Sequence, residues 1–336
     1  MTDGAGAIET REHSNFNEIT SRTASPTTKI LSDDNGNEID NGRFTFQLDA
    51  RNRVVRVTRQ DDGNVVADYD YDAQGRRIRR VVSNSGPLDG TTVYYHDDWQ
   101  VIEERDGSDV LLRQFVYGAG IDEVLIKDEN LNGDDLANGA ADRQLFYHAD
   151  SDGSIHALTD ASGKTVEGYL YDAFGRTTIF SPGLNGDVDF GGDDVIVVDG
   201  ASGEANPFMF TGRRFDSETG LFYFRHRYFD PHQGRFITRD PLGVSSHQSF
   251  YSYDGIDPYG LFIHETLAAL ASDPVGTAGA YYSGIAEGAG NFVDAAVSTA
   301  KGLANVGKAV GGAVVDLFSG KTGEAIGDLA VSMMEG

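Results

Sequence analysis

Aromatic and apolar residues recur at every second position through the middle of the chain, as in Tyr169-Leu-Tyr171 and Phe222-Tyr-Phe224. A period of two is typical of β-strands, and strand-like sequence runs from about residue 43 to residue 262. Residues 263–336 are rich in Ala, Gly and Val, and their apolar positions take on helical spacing. The pattern therefore predicts a mainly β protein, preceded by a polar, poorly ordered tail over residues 1–42 and followed by a helical segment.

A short turn motif recurs between the predicted strands. It is Asp-x-x-Gly or Asp-x-x-Asn followed by Arg or Lys, and an aromatic residue commonly precedes the aspartate. An Asp carboxylate can accept hydrogen bonds from backbone amides of a turn, and Gly or Asn adopts the positive φ that a tight hairpin needs. The copies begin at Asp49, Asp72, Asp160 and Asp172, with a version one residue longer at Asp230. The motif predicts repeated β-hairpins, which form a continuous sheet only when several neighbours stack.

Composition narrows the classes of function. The chain of 336 residues has 27 Lys and Arg against 53 Asp and Glu, a net charge of −26, which argues against nucleic acid as a partner. The absence of cysteine excludes a disulfide framework, a Cys-ligated zinc site and a Cys nucleophile. Residues 1–10 lack the basic patch and apolar run of a signal peptide, and no stretch reaches the ~18 apolar residues of a membrane-spanning helix.

The hairpin motif and the segment after it resemble a known family. The Tyr-Asp turns resemble the YD repeats of RHS (rearrangement hotspot) proteins. The segments NPFMFTGR (206–213), DSETGL (216–221), YFRHRYFDP (223–231) and GRFITRDPLG (234–243) resemble the RHS-repeat-associated core. The resemblance covers about residues 44–262, two thirds of the chain.

This resemblance implies a domain plan. Residues 43–180 are the YD-repeat sheet, an open piece of a β-shell, and residues 205–262 are the core that plugs it. Residues 181–204 form an acidic, Gly-rich insertion, and residues 263–336 form the variable C-terminal segment. In RHS proteins the shell encloses that last segment, often a toxin, until delivery. The chain is then expected to be secreted or at the cell surface, although no leader is visible.

The resemblance also implies an aspartyl autoprotease that acts only on its own chain. Two Asp-Pro-x-Gly motifs supply Asp240 and Asp257 as the carboxylate pair, with Arg239 beside them. Adjacent carboxylates cannot both ionise easily, so one holds a proton while the other acts as a base toward water. The expected cut lies between Leu261 and Phe262. Asp-Pro-x-Gly is also an ordinary turn sequence, and a purely structural role is the alternative.

The remaining polar residues predict no cofactor and no metal. The loop from Asp128 lacks the closing glutamate of an EF-hand, since its twelfth position is Gly139. A second acidic loop, from Asn185 to Asp189, has Phe190 where that motif needs glycine. His148, His156 and His226 do not share metal-ligand spacing, and we interpret them as structural, as we do the single tryptophan, Trp99. The core arginines Arg213, Arg225, Arg227 and Arg235 lie among aromatic residues and are expected to stack and pair within the plug.

Three functions remain open at this point. The first is the shell and plug module of a polymorphic toxin, with its own C-terminal segment as cargo. Its further partners would be additional YD repeats of a longer chain, a secretion apparatus or an immunity protein. The second is a non-catalytic adhesion protein whose repeats contact glycans or cells. The third is a membrane-active tail, which is the less favoured interpretation because its polar face carries more acid than base.

Overall fold

The structure is a computed structural model, and it describes residues 10–14, 18–22, 28–120, 122–133, 142–241 and 249–253. All of them fall in the first of the two units into which the chain divides, Met1–Leu261. The described residues contain 22 β-strands and no α-helix, with single 3-10 turns at Gly86–Leu88 and Phe210–Gly212. The predicted helical tail, residues 263–336, lies outside the described residues. Among the described residues, none forms a helix with the length and hydropathy to span a membrane.

The strands follow one another closely along the chain. In the first half they are β1 (Arg11–His13), β2 (Ile19–Arg22), β3 (Thr28–Lys29), β4 (Leu31–Ser32), β5 (Glu38–Asp40), β6 (Phe44–Leu48), β7 (Val54–Arg59), β8 (Val65–Tyr71), β9 (Arg77–Val82), β10 (Gly90–Asp97) and β11 (Gln100–Asp106). In the second half they are β12 (Leu111–Tyr117), β13 (Val124–Glu129), β14 (Arg143–Ala149), β15 (Ile155–Thr159), β16 (Thr165–Tyr171), β17 (Thr177–Ser181), β18 (Val195–Val198), β19 (Arg214–Asp216), β20 (Leu221–Phe224), β21 (Arg227–Asp230) and β22 (Arg235–Phe236).

One large sheet dominates the fold. Strands β4 to β18 form a 15-stranded antiparallel sheet in which every strand pairs with the next one in sequence. The sheet is open, because its order ends at β4 on one side and β18 on the other. Strands β1 to β3 form a small sheet, and the core strands β19 to β22 form a third sheet of four strands. The prediction of a mainly β protein built from an open run of hairpins is confirmed.

The hairpin turns have the geometry that the sequence motif predicts. In the turn after β8, the Asp72 carboxylate accepts a hydrogen bond from the Arg76 amide at 2.9 Å, and Gly75 has φ +91°. The Asp72 amide bonds the Arg76 carbonyl and the Gly75 amide bonds the Asp72 carbonyl, which gives a tight turn closed by a bulge. The turn after β6 repeats this arrangement, with Asn52 at φ 59° in the glycine's place.

The inner face of the sheet is apolar because inward positions alternate with outward ones. Phe46 pairs with Val57, Val57 with Ala67, and Ala67 with Val82, so one buried row crosses four strands. Outward positions carry charge, as in the exposed ion pair of Arg56 with Asp68. The register of the strand pairs therefore determines which face of the sheet is apolar, and only that face can be buried by the core.

The described part of the predicted core segment, residues 205–241 and 249–253, lies against this inner face. Phe208, Phe215 and Phe222 of the core share one buried cluster with residues of the large sheet from β12 to β17, including Phe115 and Tyr169. A second cluster joins core residues of β20 and β21 to β6, β7 and β8. The core thus contacts strands from both halves of the large sheet.

Residues 31–40, within the segment for which composition predicts a polar tail, form β4 and β5 and join the large sheet. Their polar side chains bond to each other and to the next hairpin. Asn37 donates to Asp33 at 3.0 Å and to Asn52 at 2.8 Å, and it is fully buried. Composition cannot show such contacts, because Asn and Asp are equally common in unstructured chain.

The acidic insertion, residues 181–204, packs one aromatic side chain onto the outer face of the sheet. Phe190 lies 5.4 Å from Phe180, ring centre to ring centre, and directly over Gly168 of β16. Any side chain at position 168 would collide with Phe190. The insertion then returns to the sheet as β18, whose Val195, Ile196 and Val198 are exposed.

Candidate functional site

The first predicted catalytic residue, Asp240, is buried at the end of the core. Its carboxylate forms an ion pair with Arg227 of β21, with Nη2 to Oδ2 at 3.0 Å, and its amide donates to the Phe250 carbonyl at 3.0 Å. Arg227 is fully buried, lies 3.6 Å from the centre of the Phe236 ring, and also donates to the Phe250 carbonyl. Asp240 is therefore held between a strand of the core and the chain segment that follows it.

Arg239, the predicted partner of the carboxylates, makes different contacts. It donates to the Tyr251 hydroxyl at 3.2 Å and to the Glu18 carboxylate at 2.9 Å, and its guanidinium lies over the Phe250 ring. Tyr251 in turn donates to the Gly36 carbonyl at 2.6 Å. These contacts tie the segment around Asp240 to the N-terminal strands.

The second half of the predicted site lies outside the described residues. Asp257 and the expected cleavage point, Leu261 and Phe262, all follow Tyr253, the last residue that the structure describes. The pairing of Asp240 with Asp257 therefore stays a prediction. Arg227 is the cation that sequence reasoning did not assign to Asp240, and nothing in the spacing of the motif distinguishes it from the other core arginines.

The structure brings together a pair of carboxylates that the sequence does not reveal. Glu38 of β5 and Asp230 of β21 are both buried, and the Gln233 side-chain amide donates to both of them, at 2.8 Å and 2.9 Å. Burial, reinforced by the charge of Asp230, raises the pKa of Glu38 from 4.5 to about 8. Glu38 is therefore mainly protonated at neutral pH.

Elsewhere, buried ion pairs connect the large sheet to the core. Arg77 of β9 pairs with Asp216 of β19 through two hydrogen bonds, at 2.5 and 3.0 Å. Arg214 of β19 pairs with Glu104 of β11, whose pKa falls to about 2 despite its burial because Arg214 and Arg113 lie beside it. Breaking such a pair leaves a buried charge without its partner, so each fixes the position of the core against the sheet.

The other core arginines stack on aromatic rings as predicted, but Arg213 and Arg225 form their ion pairs with the large-sheet region and not within the plug. Arg213 and Arg225 both bond Asp122, between β12 and β13, and Arg213 also lies over the Phe224 ring. Arg235 lies 4.2 Å from the centre of the Tyr251 ring. These contacts give the arginines a structural role in the core.

The histidines and acidic loops have local contacts. His148 bonds Thr159 and His156 bonds Asp150, both within the sheet. In the insertion, Asp189 and Asp194 accept hydrogen bonds from nearby backbone amides. Within the described part of the chain, no group of three or more acidic or histidine side chains is arranged to hold a metal ion.

Comparison with known proteins agrees with this architecture. No family model matches the chain. The chain is 29% identical over 252 residues to the tRNA3(Ser)-specific nuclease WapA of Bacillus spizizenii, an alignment that covers 73% of this chain and 9% of that protein. It is 28% identical over 235 residues to toxin protein Tse5 of Pseudomonas aeruginosa, which covers 67% of this chain and 18% of that protein. The similarity thus concerns a segment of much longer proteins.

A solved structure shares the fold. The crystal structure of TcdB2-TccC3 superposes with a TM-score of 0.52 at 16% sequence identity, over 75% of this chain and 14% of that one. At this identity the likeness concerns the fold alone. The chain is thus similar in sequence to segments of longer bacterial proteins named as a tRNA nuclease and a toxin, and it shares its fold with part of TcdB2-TccC3.

Proposed function

We propose that this chain is the C-terminal shell and plug module of an RHS-type polymorphic toxin or cell-surface protein, which acts outside the cell that makes it. The observation that carries the proposal is the seating of the core on the inner face of an open 15-stranded sheet, through two apolar clusters and several buried ion pairs. A core held in this way can close one end of a shell. The relatives named as a nuclease and a toxin support the same assignment.

The open edges of the sheet, β4 and β18, are where further repeats of a longer chain would add by backbone pairing. The C-terminal segment, residues 263–336, is the cargo under this proposal. A secretion apparatus and an immunity protein are the partners that such a module would require.

Self-cleavage after Leu261 is the catalytic part of the proposal. Asp240 is buried and held by Arg227, so its carboxylate has a fixed orientation, as a catalytic carboxylate requires. Asp257 would supply the second carboxylate. One of the two would activate a water molecule that attacks the Leu261 carbonyl carbon, and the other would donate a proton to the departing Phe262 nitrogen.

Intact mass tests the catalytic part. The chain is purified at neutral pH with a tag at each end, since acid can break Asp-Pro bonds chemically. We expect two fragments that meet at Leu261 and Phe262, and uncut protein from both Asp240→Asn and Asp257→Asn. Asp68→Asn, on the outer face of the sheet, is the matched control and should cleave normally. A single uncut wild-type chain after several days would overturn self-cleavage and leave a non-catalytic role for the shell.

A further inference from the structure

A small cavity lies between the large sheet and the core, with a volume of about 40 Å³. Arg77, the first residue of β9, and Arg76, just before it, line the cavity from the sheet. Arg213, Arg214 and Arg225 line it from the core. A cavity of this size holds a few water molecules or one small ion.

The guanidinium groups around the cavity outnumber the carboxylates. Three carboxylates at the boundary between the sheet and the core each pair with two arginines. Asp122 is bonded by Arg213 and Arg225. Asp216 is bonded by Arg77 and Arg80, and Glu104 by Arg113 and Arg214. Arg80 also reaches Glu218, but burial raises the pKa of that carboxyl, which favours its neutral form. Positive charge is therefore in excess at this junction.

Two of these arginines have hydrogen-bond donors without acceptors. The Nε of Arg77 and the Nη2 of Arg214 are buried, and among the described residues neither has a hydrogen-bond partner. Their side chains are almost wholly buried, with residue exposures of 2% and 8%. Buried donors on a charged group are rarely left unpaired, since each loses its hydration without a replacement.

The arginines at the cavity also affect a neighbouring histidine, His96. His96 lines the cavity, and burial together with Arg76 and Arg214 lowers its pKa to about 4. Asp72 acts in the opposite direction but does not offset the two arginines. The imidazole is therefore neutral at physiological pH and adds no further positive charge.

We propose that this cavity binds a small inorganic anion, phosphate or chloride, that bridges the sheet and the core. The anion would accept hydrogen bonds from Arg77 and Arg214 and offset the excess charge, a role for which guanidinium groups suit oxyanions well. Because its ligands come from β9 on one side and from the core on the other, the bound anion would hold the core in its seat.

The single tryptophan of the chain provides the test. Trp99 lines the cavity and packs against His226 of the core, with ring centres 5.0 Å apart. The full chain is purified in potassium gluconate, and potassium phosphate or potassium chloride is titrated in at constant ionic strength. We expect a saturable change of Trp99 emission and a rise in melting temperature with one or both salts, and the two titrations show which anion binds. A response that grows linearly without saturation for both would overturn the proposal.

Variants locate the site. Arg225→Gln should weaken anion binding at least tenfold, while Asp122 keeps Arg213 as its partner. Arg56→Gln removes the same charge from the exposed outer face and should bind normally. If Arg225→Gln does not fold, Arg76→Gln replaces it. Unchanged affinity in a folded variant with normal circular dichroism would contradict the proposal.

The titration of His96 gives a readout that needs no variant. A bound anion would offset the arginines that lower the His96 pKa, so that pKa should rise by about one unit in saturating phosphate or chloride. NMR of the chain with ¹⁵N-labelled histidine measures this shift. The same His96 pKa with and without both anions would rule out a site in this cavity.

Discussion

Replacing Glu38 by glutamine should stabilise the protein at neutral pH. Glu38 is 7% exposed, and its pKa in the folded chain is raised from 4.5 to about 8, chiefly by burial and then by the charge of Asp230. Between these two values the folded state binds more protons than the unfolded state. The stability that the protonated carboxyl provides is therefore full below pH 4.5 and is lost as the pH rises toward 8.

The size of the effect follows from the width of that window. A pH of 7 is roughly 2.5 units above the pKa of 4.5 that Glu38 has in the unfolded chain. At 1.36 kcal/mol per unit, the folded protein has lost about 3 kcal/mol of stability at that pH. Glutamine has nearly the same shape and no charge to bury. Its amide can donate to Gln233 Oε1, a buried atom without a partner among the described residues. Glu38→Gln should then gain up to about 3 kcal/mol at pH 7 and almost nothing at pH 4.5.

Urea unfolding, followed by Trp99 fluorescence, measures the free energy of unfolding of the variant and the wild type at pH 4.5, 6, 7 and 8.5. Glu12→Gln, in the exposed strand β1, is the matched control and should change stability by less than about 0.5 kcal/mol at each pH. The reasoning fails if Glu38→Gln destabilises the protein at pH 7. It also fails if the difference between variant and wild type is the same at every pH.

Two further sets of variants test the buried pair at Asp240 and the turn glycines. Arg227→Met should destabilise the chain by about 3–5 kcal/mol because it removes the buried cation that pairs with the Asp240 carboxylate, and adding Asp240→Asn should recover part of that loss in the same urea assay. Full stability of the single variant would mean that water reaches the carboxylate. Gly75→Ala should cost about 1–2 kcal/mol, since its φ is +91° but the new methyl group would meet nothing closer than Arg53 Nη1 at 3.8 Å. Gly175→Ala, at φ +81° in the same turn motif, should cost at least ~2 kcal/mol more because the new methyl group meets the Phe210 ring, and equal losses would contradict that packing.

The local part of the fold could be predicted from sequence, because it depends on residues close together in the chain. The Asp-x-x-Gly-basic motif identified hairpins at Asp49, Asp72, Asp160 and Asp172. Three turns of the same geometry escaped it, those that begin at Asp33, Asp106 and Asp150. Their fifth residues are Asn, Val and Ser, so the turn forms without a basic residue, although Arg53 and Arg76 do bond the aspartates of their own turns. A search for Asp followed three positions later by Gly, Asn or Asp would have found them.

The candidate site was less accessible to sequence reasoning, because its contacts join distant parts of the chain. Nothing near Glu38 in sequence suggests that it meets Asp230, and nothing near Asp240 selects Arg227 as its partner. Side-chain partners of this kind depend on how the core packs against the rest of the fold. Hydrophobic periodicity along the chain carries no information about that packing.

The consecutive order of the large sheet has a consequence for biosynthesis. Since each strand from β4 to β18 pairs with its neighbour in sequence, hairpins can form one after another as the chain leaves the ribosome. The core strands β19 to β22 are translated afterwards, so the apolar inner face of the sheet waits for the last part of this unit to cover it. During that interval the nascent chain exposes Phe46, Val57 and Phe115 to water. A ribosome that stalls before residue 208 would therefore leave an aggregation-prone product, and chaperone demand should peak at that point of translation.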